Sequence, residues 1–364
     1  MPSFRQRRRP TGASCFHQAG LSLVELMVAL VLGLMLTAGI IQLFVGSKQT
    51  YRFQEAYSRV QENGRYLVEA LNRDIRMAGN MGCVGNLQRE NPTGTGNLAP
   101  GYFRVTLNNS SNYEWDFGSG LQGYQWNGSG WTPALPTALA AALSGSDVIT
   151  LRGMDGGVVK VTSHPGGNPP GSAALGVSSG NGVDQFDILA VADCTSAAVF
   201  QVSTANPDTS GSLAHNTGVG TPGNATRALG RDFVGADVMR VSTRSYFIAN
   251  GVGGGPALFR RVNLAAAEEL VEGIERMRFA YGVDTSGDRV TDVYLSGSQV
   301  EAASRWGEVV SVRVSLLLRS IENNVTDGPR QITFDGEVIN SGAGADRRLR
   351  QVFTTIVSLR NRLP

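Results

Sequence analysis

Glu25 is the residue in this sequence with the most to say about chemistry. It is the only charged side chain in LSLVELMVALVLGLMLTAGIIQLFV, residues 21–45. A carboxylate within so apolar a run is expensive in lipid, and by default it marks a functional position that needs a positive partner. Gly20 stands five residues before it, and Arg5, Arg7, Arg8 and Arg9 form a basic tail further upstream. The other candidates are weaker. His164 and His215 lie in Gly/Pro/Thr-rich loops, with no second histidine or carboxylate at metal-ligand spacing. The sequence holds no HExxH, CxxC or P-loop pattern. Gly176-Val177-Ser178-Ser179-Gly180 fits the nucleophile-elbow string, but that motif requires a strand before it and a helix after it, and the next element here reads as a strand. Gly118, Gly120 and Gly123 fit the dinucleotide fingerprint without the strand–turn–helix unit it needs. Asp284-Thr285-Ser286-Gly287-Asp288, with Asp292, would gather oxygens suited to Ca²⁺. The ligand order and the missing closing Glu exclude an EF-hand, and a hairpin turn with solvated acids is the plainer reading. We expect no enzyme activity, cofactor or metal.

The element that carries Glu25 is long enough to cross a hydrocarbon core of roughly 30 Å as a helix. The four arginines on its amino-terminal side keep that end in the cytoplasm and export the rest. An ordinary secretory signal places its small-residue cleavage site after the apolar run, whereas Gly20 precedes it. A plain signal anchor accounts for the arginines and the run but not for Glu25. The helix is expected to continue. Phe53, Tyr57, Val60, Leu67, Leu71, Ile75 and Ala78 recur every three to four residues or in sevens, with a gap at Gly64, and charged residues lie between them. No proline interrupts residues 21–91. A helix over 22–78 would be roughly 85 Å long. Its first half is apolar all round, and the stripe of the second half suits the spine of a globular domain. Gly79, Gly82 and Gly85 end it.

Beyond the helix, residues 86–142 read as loops with short strands. They are anchored by Tyr102, Phe103, Tyr113, Trp115, Phe117, Tyr124, Trp126 and Trp131, which either pack in a core or form a sugar- or surface-binding face. Strands follow at 147–152, 158–162, 186–192, 199–203, 238–248, 257–262, 277–283 and 290–295, with a short helix at 264–274. Val310, Val312, Val314 and Leu316 alternate onto one face of a strand over 310–318, and 352–359 reads as the last strand. The expected fold class is α+β: a long amino-terminal helix packed on a mostly antiparallel sheet with long loops. No repeat or alternating strand–helix order suggests a doubly wound fold.

Basic tail, Gly20, apolar helix and Glu25 together resemble the class III signal of type IV prepilins. The helix exit Arg73-Asp74-Ile75-Arg76-Met77-Ala78-Gly79 with Gly82-Cys83 resembles PilW-type minor pilins. So do Asp193-Cys194 with Val199-Phe200-Gln201, and Leu270-Val271-Glu272-Gly273-Ile274-Glu275 leading to Tyr281-Gly282-Val283-Asp284. The resemblance implies a type IV pilin-like fold. It also implies that a prepilin peptidase cuts after Gly20 and methylates the new amine of Leu21, and that Glu25 pairs with the free amine of a neighbouring subunit. Leu21 stands where Phe is usual in the family, which bears on methylation and not on cleavage. The implied segments are a leader, 1–20; a transmembrane assembly helix, 21–47; its amphipathic continuation, 48–80; and an exported β-rich domain, 81–364. The implied function is a low-abundance subunit that helps to start pilus assembly. Its partners would be other minor pilins, the major pilin and the inner-membrane assembly platform. It would sit in the bacterial inner membrane with its carboxy-terminal domain in the periplasm, and later in the pilus. The alternatives are a minor pseudopilin of type II secretion and a membrane-anchored adhesin or binding module, with residues 102–131 as its site.

A cut after Gly20 would remove Cys15 and leave Cys83 and Cys194, an even count in an exported segment. A disulfide is the natural reading, and two unrelated buried thiols are the alternative. The bond would close a loop worth roughly 4–5 kcal/mol in the chain-entropy model. The formal net charge of +2 gives no global basic field for nucleic acid. Charged residues are 17% and glycines number 46. With an ordinary apolar fraction, that composition indicates loop-rich β structure rather than disorder.

Overall fold

The computed structural model describes Gly20 and residues 22–82, 88–90, 96–166 and 173–362. Helix α1 spans Leu23–Arg76. Ser22 begins it, accepting the Glu25 N–H on its hydroxyl at 3.2 Å and the Leu26 N–H on its carbonyl at 3.1 Å, as a cap should. The chain divides into two compact units, one ending at Gln54 and the other starting at Glu55. In the first unit the large apolar side chains from Leu23 to Val45 are all exposed. The helix is long and apolar enough to cross a membrane.

In the second unit the helix buries Ala56, Val60, Gly64, Leu67, Leu71, Asp74 and Ile75. The stripe therefore starts at Ala56. Tyr57, an expected member, is 46% exposed, because one residue of helix turns its side chain about 100° away from Ala56. The gap at Gly64 has a cause: a Cβ there would lie 2.3 Å from the Phe353 ring. The helix ends where Gly79 turns to φ +72° and donates its N–H to the Arg152 carbonyl at 2.7 Å.

The larger sheet begins with β1 (Gln88–Arg89), β2 (Tyr102–Val105), β3 (Leu121–Trp126), β4 (Trp131–Thr132) and β5 (Val148–Ser163). It continues through β6 (Ala174–Val177), β7 (Ile188–Ala192), β8 (Ala197–Gln201) and β9 (Ser212–Ala214). It closes with β10 (Asp237–Asn250), β11 (Pro256–Val262) and β12 (Glu268–Glu272). Its main path is β1-β2-β8-β7-β10-β5-β3-β4, with β11 and β12 branching from β10 and with β6 and β9 branching from β5. Among the described strands, only β1–β2 and β2–β8 pair parallel. The second sheet is antiparallel in the order β14 (Val293–Ser296), β13 (Ile274–Val283), β15 (Val309–Arg319) and β18 (Arg350–Ser358). A hairpin of β16 (Ile332–Phe334) and β17 (Glu337–Ile339) covers Leu317. The principal core joins the helix stripe to both sheets, through Leu121, Ile149, Leu151 and Tyr246 on one side and Met277, Tyr281, Val312, Val314 and Leu316 on the other.

Several sequence expectations need correction. Residues 264–274 are not a helix. Leu258 pairs with Val271 in the β11–β12 ladder, and Gly273 at φ +86° breaks the chain before β13; the long-range ladder outweighed local Ala/Glu spacing. The strands expected at 147–152 and 158–162 are one strand, β5, carried through Asp155–Gly157 by register shifts opposite Met239 and Arg240. Val290 belongs to a loop, and β14 starts at Val293.

Candidate assembly site

Ser22 fixes where α1 starts, and this puts Glu25 in the first helical turn. The free N–H groups and positive dipole end of a helix favour an anion there. Gly20 is exposed just before the cap. Leu21 lies outside the described residues. A carboxylate thus stands at the head of an exposed apolar helix, five residues after Gly20.

Cys83 and Cys15 also lie outside the described residues. Cys194 is disulfide-bonded. Gly82, next to Cys83, sits where a Cβ would come within 2.9 Å of Ala192 Cβ, two residues from Cys194. The Asp193 carboxylate caps that turn through the Thr195 and Ser196 N–H groups, each at 2.8 Å.

The remaining candidates have structural roles. Asp284 accepts the Ser286, Gly287 and Arg289 N–H groups, and Asp292 accepts those of Thr285 and Ser286. These hydrogen bonds hold both carboxyls below their ordinary range, as in a self-capped turn between β13 and β14. No group of three or more metal-type ligands occurs among the described residues. Ser178 follows strand β6 with no helix after it. A Cβ at Gly120 would lie 2.4 Å from Gly79 Cα, and one at Gly123 would lie 1.9 Å from the Tyr281 hydroxyl. Close packing therefore explains that pair of glycines. His215 is buried, and desolvation lowers its pKa to about 4. Phe103, Trp115, Phe117 and Tyr124 are buried in cores, and Tyr113 and Trp131 pack partly against one of them.

Sequence reasoning missed the buried ionic joints. Asp74, on the helix, accepts the Tyr246 hydroxyl at 2.5 Å and lies 3.8 Å from Arg244 Nε. Arg244 in turn meets Asp155 at 2.5 Å. The signal was present: Asp74 falls one turn after Leu71, at a stripe position where a lone carboxylate requires a buried donor. Asp147 joins the sheets, accepting the Trp126 N–H from β3 at 2.9 Å and the Phe279 N–H from β13 at 3.1 Å. Its pKa is raised to about 6, chiefly by burial, against the opposing pull of Arg278. Arg104 is 2% exposed and makes two bonds to Glu90.

Two family models match the chain. Residues 15–41 match the prokaryotic N-terminal methylation motif. Residues 245–361 match the model of Type IV Pilus-assembly protein W. No curated protein matches it. Among solved structures, a type IV-like pilin from Thermus thermophilus aligns over 84% of this chain and 98% of its own, at 11% identity. Its TM-score to this chain is 0.30.

Proposed function

We propose that this protein is a minor pilin that helps to prime type IV pilus assembly. The reading rests above all on one observation: a capped helix, apolar and exposed from Leu23 to Val45, with its single acid in the first turn. Residues 1–20 act as a leader, 21–47 as the membrane and assembly helix, 48–80 as its amphipathic continuation, and 81–364 as the exported domain. Prepilin peptidase cuts after Gly20 and methylates the amine of Leu21. Glu25 then pairs with the amine of a neighbouring subunit, since a buried charge left alone is far more costly than a paired one. Other minor pilins, the major pilin and the inner-membrane platform are its partners. The protein is held in the inner membrane until it enters a filament. Cys83 bonds Cys194, which the close approach of Gly82 to Ala192 supports. Burial of Phe103, Trp115, Phe117 and Tyr124 favours this reading over an aromatic binding face. A secretion pseudopilus would use the same features, and a deletion strain that loses secretion while keeping surface pili would assign the protein there.

The test is mass spectrometry of the amino terminus, combined with pilus counts. Mature protein is expected to begin at Leu21, and Glu25→Ala is expected to be processed normally yet to give few pili. A mature chain starting at Met1, or normal pilus numbers with Glu25→Ala, refutes the reading.

A further inference from the structure

We propose that the free edge of β18 accepts one more antiparallel strand from a partner polypeptide, whose acidic side chains meet Arg73 and Arg76. Strand β18 ends the second sheet, and among the described residues it pairs only with β15. The direction of its backbone groups follows from two bonds that flank the ladder. Leu359 donates its N–H to Val310, and Ser320 donates its N–H to the Leu349 carbonyl. Leu349 and Leu359 therefore face β15. The register between them runs without a shift, so residues 351, 353, 355 and 357 face β15 as well. In an antiparallel ladder the alternate residues turn both polar backbone groups the other way. Val352, Thr354 and Ile356 thus present their N–H and C=O groups to the open edge. Val352 is 37% and Ile356 58% exposed. The strand has neither lysine nor proline, the usual guards of an unpaired edge.

A cleft of about 660 Å³ lies alongside. Both Ile356 and Val357 line it. Neighbours in a strand point to opposite faces, so the cleft borders the edge of β18 rather than either face. Leu270 lines it too; this is the residue of β12 that the β11 register skips, and β12 likewise ends its sheet. The α1 helix contributes Arg73, Arg76, Asn72 and one acid, Glu69. Among the described residues Asn72 Oδ1, buried beside the cleft, has no hydrogen-bond partner. Strand addition supplies affinity through main-chain bonds and selectivity through side chains. The two arginines set that selectivity at the Ile356 end, where the amino terminus of an antiparallel strand would lie.

The experiment uses the full chain in detergent and two synthetic peptides, EEVTVTVT and KKVTVTVT, with amide hydrogen exchange read residue by residue. The acidic peptide at saturation is expected to slow exchange at Val352, Thr354 and Ile356 by about tenfold or more, two or three new bonds being worth at least that. The basic peptide is expected to bind roughly fivefold more weakly, the worth of one or two exposed ion pairs. Thr354→Pro removes an outward N–H while leaving the β15 ladder in place, and is expected to abolish the protection. Arg73→Glu with Arg76→Glu is expected to invert the peptide preference, and it decides the question if Thr354→Pro disturbs the fold. No slowing at millimolar peptide, or an unchanged preference in the double variant, overturns the proposal. Protection already present without peptide and rising with protein concentration also overturns it, in favour of a second copy of this chain. None of these readouts depends on processing or filaments, so they can fail while the assembly reading stands, and the reverse.

Discussion

Replacing Asp147 by Asn should change how stability depends on pH. The Asp147 carboxyl is 4% exposed at the junction of the two sheets. It accepts two backbone N–H groups and lies 3.3 Å from Arg278 Nη1. Those partners favour the anion, but burial outweighs them, and the pKa rises from 3.8 to about 6. A folded pKa above the unfolded one means that the native state holds the proton more tightly. The group's contribution is therefore fully present below about pH 4 and is lost as pH rises through about 6. At about 1.4 kcal/mol for each tenfold change in proton affinity, the swing is about 3 kcal/mol between pH 4 and 7. Asp193 and Asp346 have lowered values and work in the opposite direction, so the informative quantity is the difference between wild type and Asp147→Asn. Thermal unfolding of the detergent-solubilised protein, followed by near-ultraviolet circular dichroism from pH 4 to pH 7.5, measures it. Wild type should gain up to about 3 kcal/mol on the variant as pH falls from 7 to 4, a difference of several degrees in Tm. Parallel curves for the two proteins would show that burial does not govern this carboxyl.

Three further outcomes are expected. Gly64→Ala places a methyl group 2.3 Å from Phe353, and overpacking of that kind should cost about 1–3 kcal/mol; Gly64→Ala combined with Phe353→Leu should recover part of the loss in the same melt. Tyr246→Phe removes the hydroxyl bonded to buried Asp74 and should lower stability by about 1–3 kcal/mol, with no effect on amino-terminal processing. Cys83→Ser and Cys194→Ser should each cost a similar 2–5 kcal/mol, and wild type should show no free thiol at either position by alkylation mass spectrometry. A Cys194→Ser protein as stable as wild type would sink the pairing.

The sequence alone established the amino-terminal half of the argument. An apolar run with a single acid is read directly from the residues of one segment. The stripe at Val60, Leu67, Leu71 and Ile75 and the alternation over 310–316 were legible for the same reason: local periodicity follows from the geometry of one helix or one strand. The tertiary structure decided what depends on residues far apart in the chain. Residues 264–274 took up a strand because β11 offered a ladder, against their own helical spacing. Gly64 looked like a break in a stripe until Phe353, nearly three hundred residues later, filled it. The positions of Asp74 and Asp147 in the core, and the outward-facing polar groups of β18, follow from which partners burial supplies or withholds, and no local pattern encodes that.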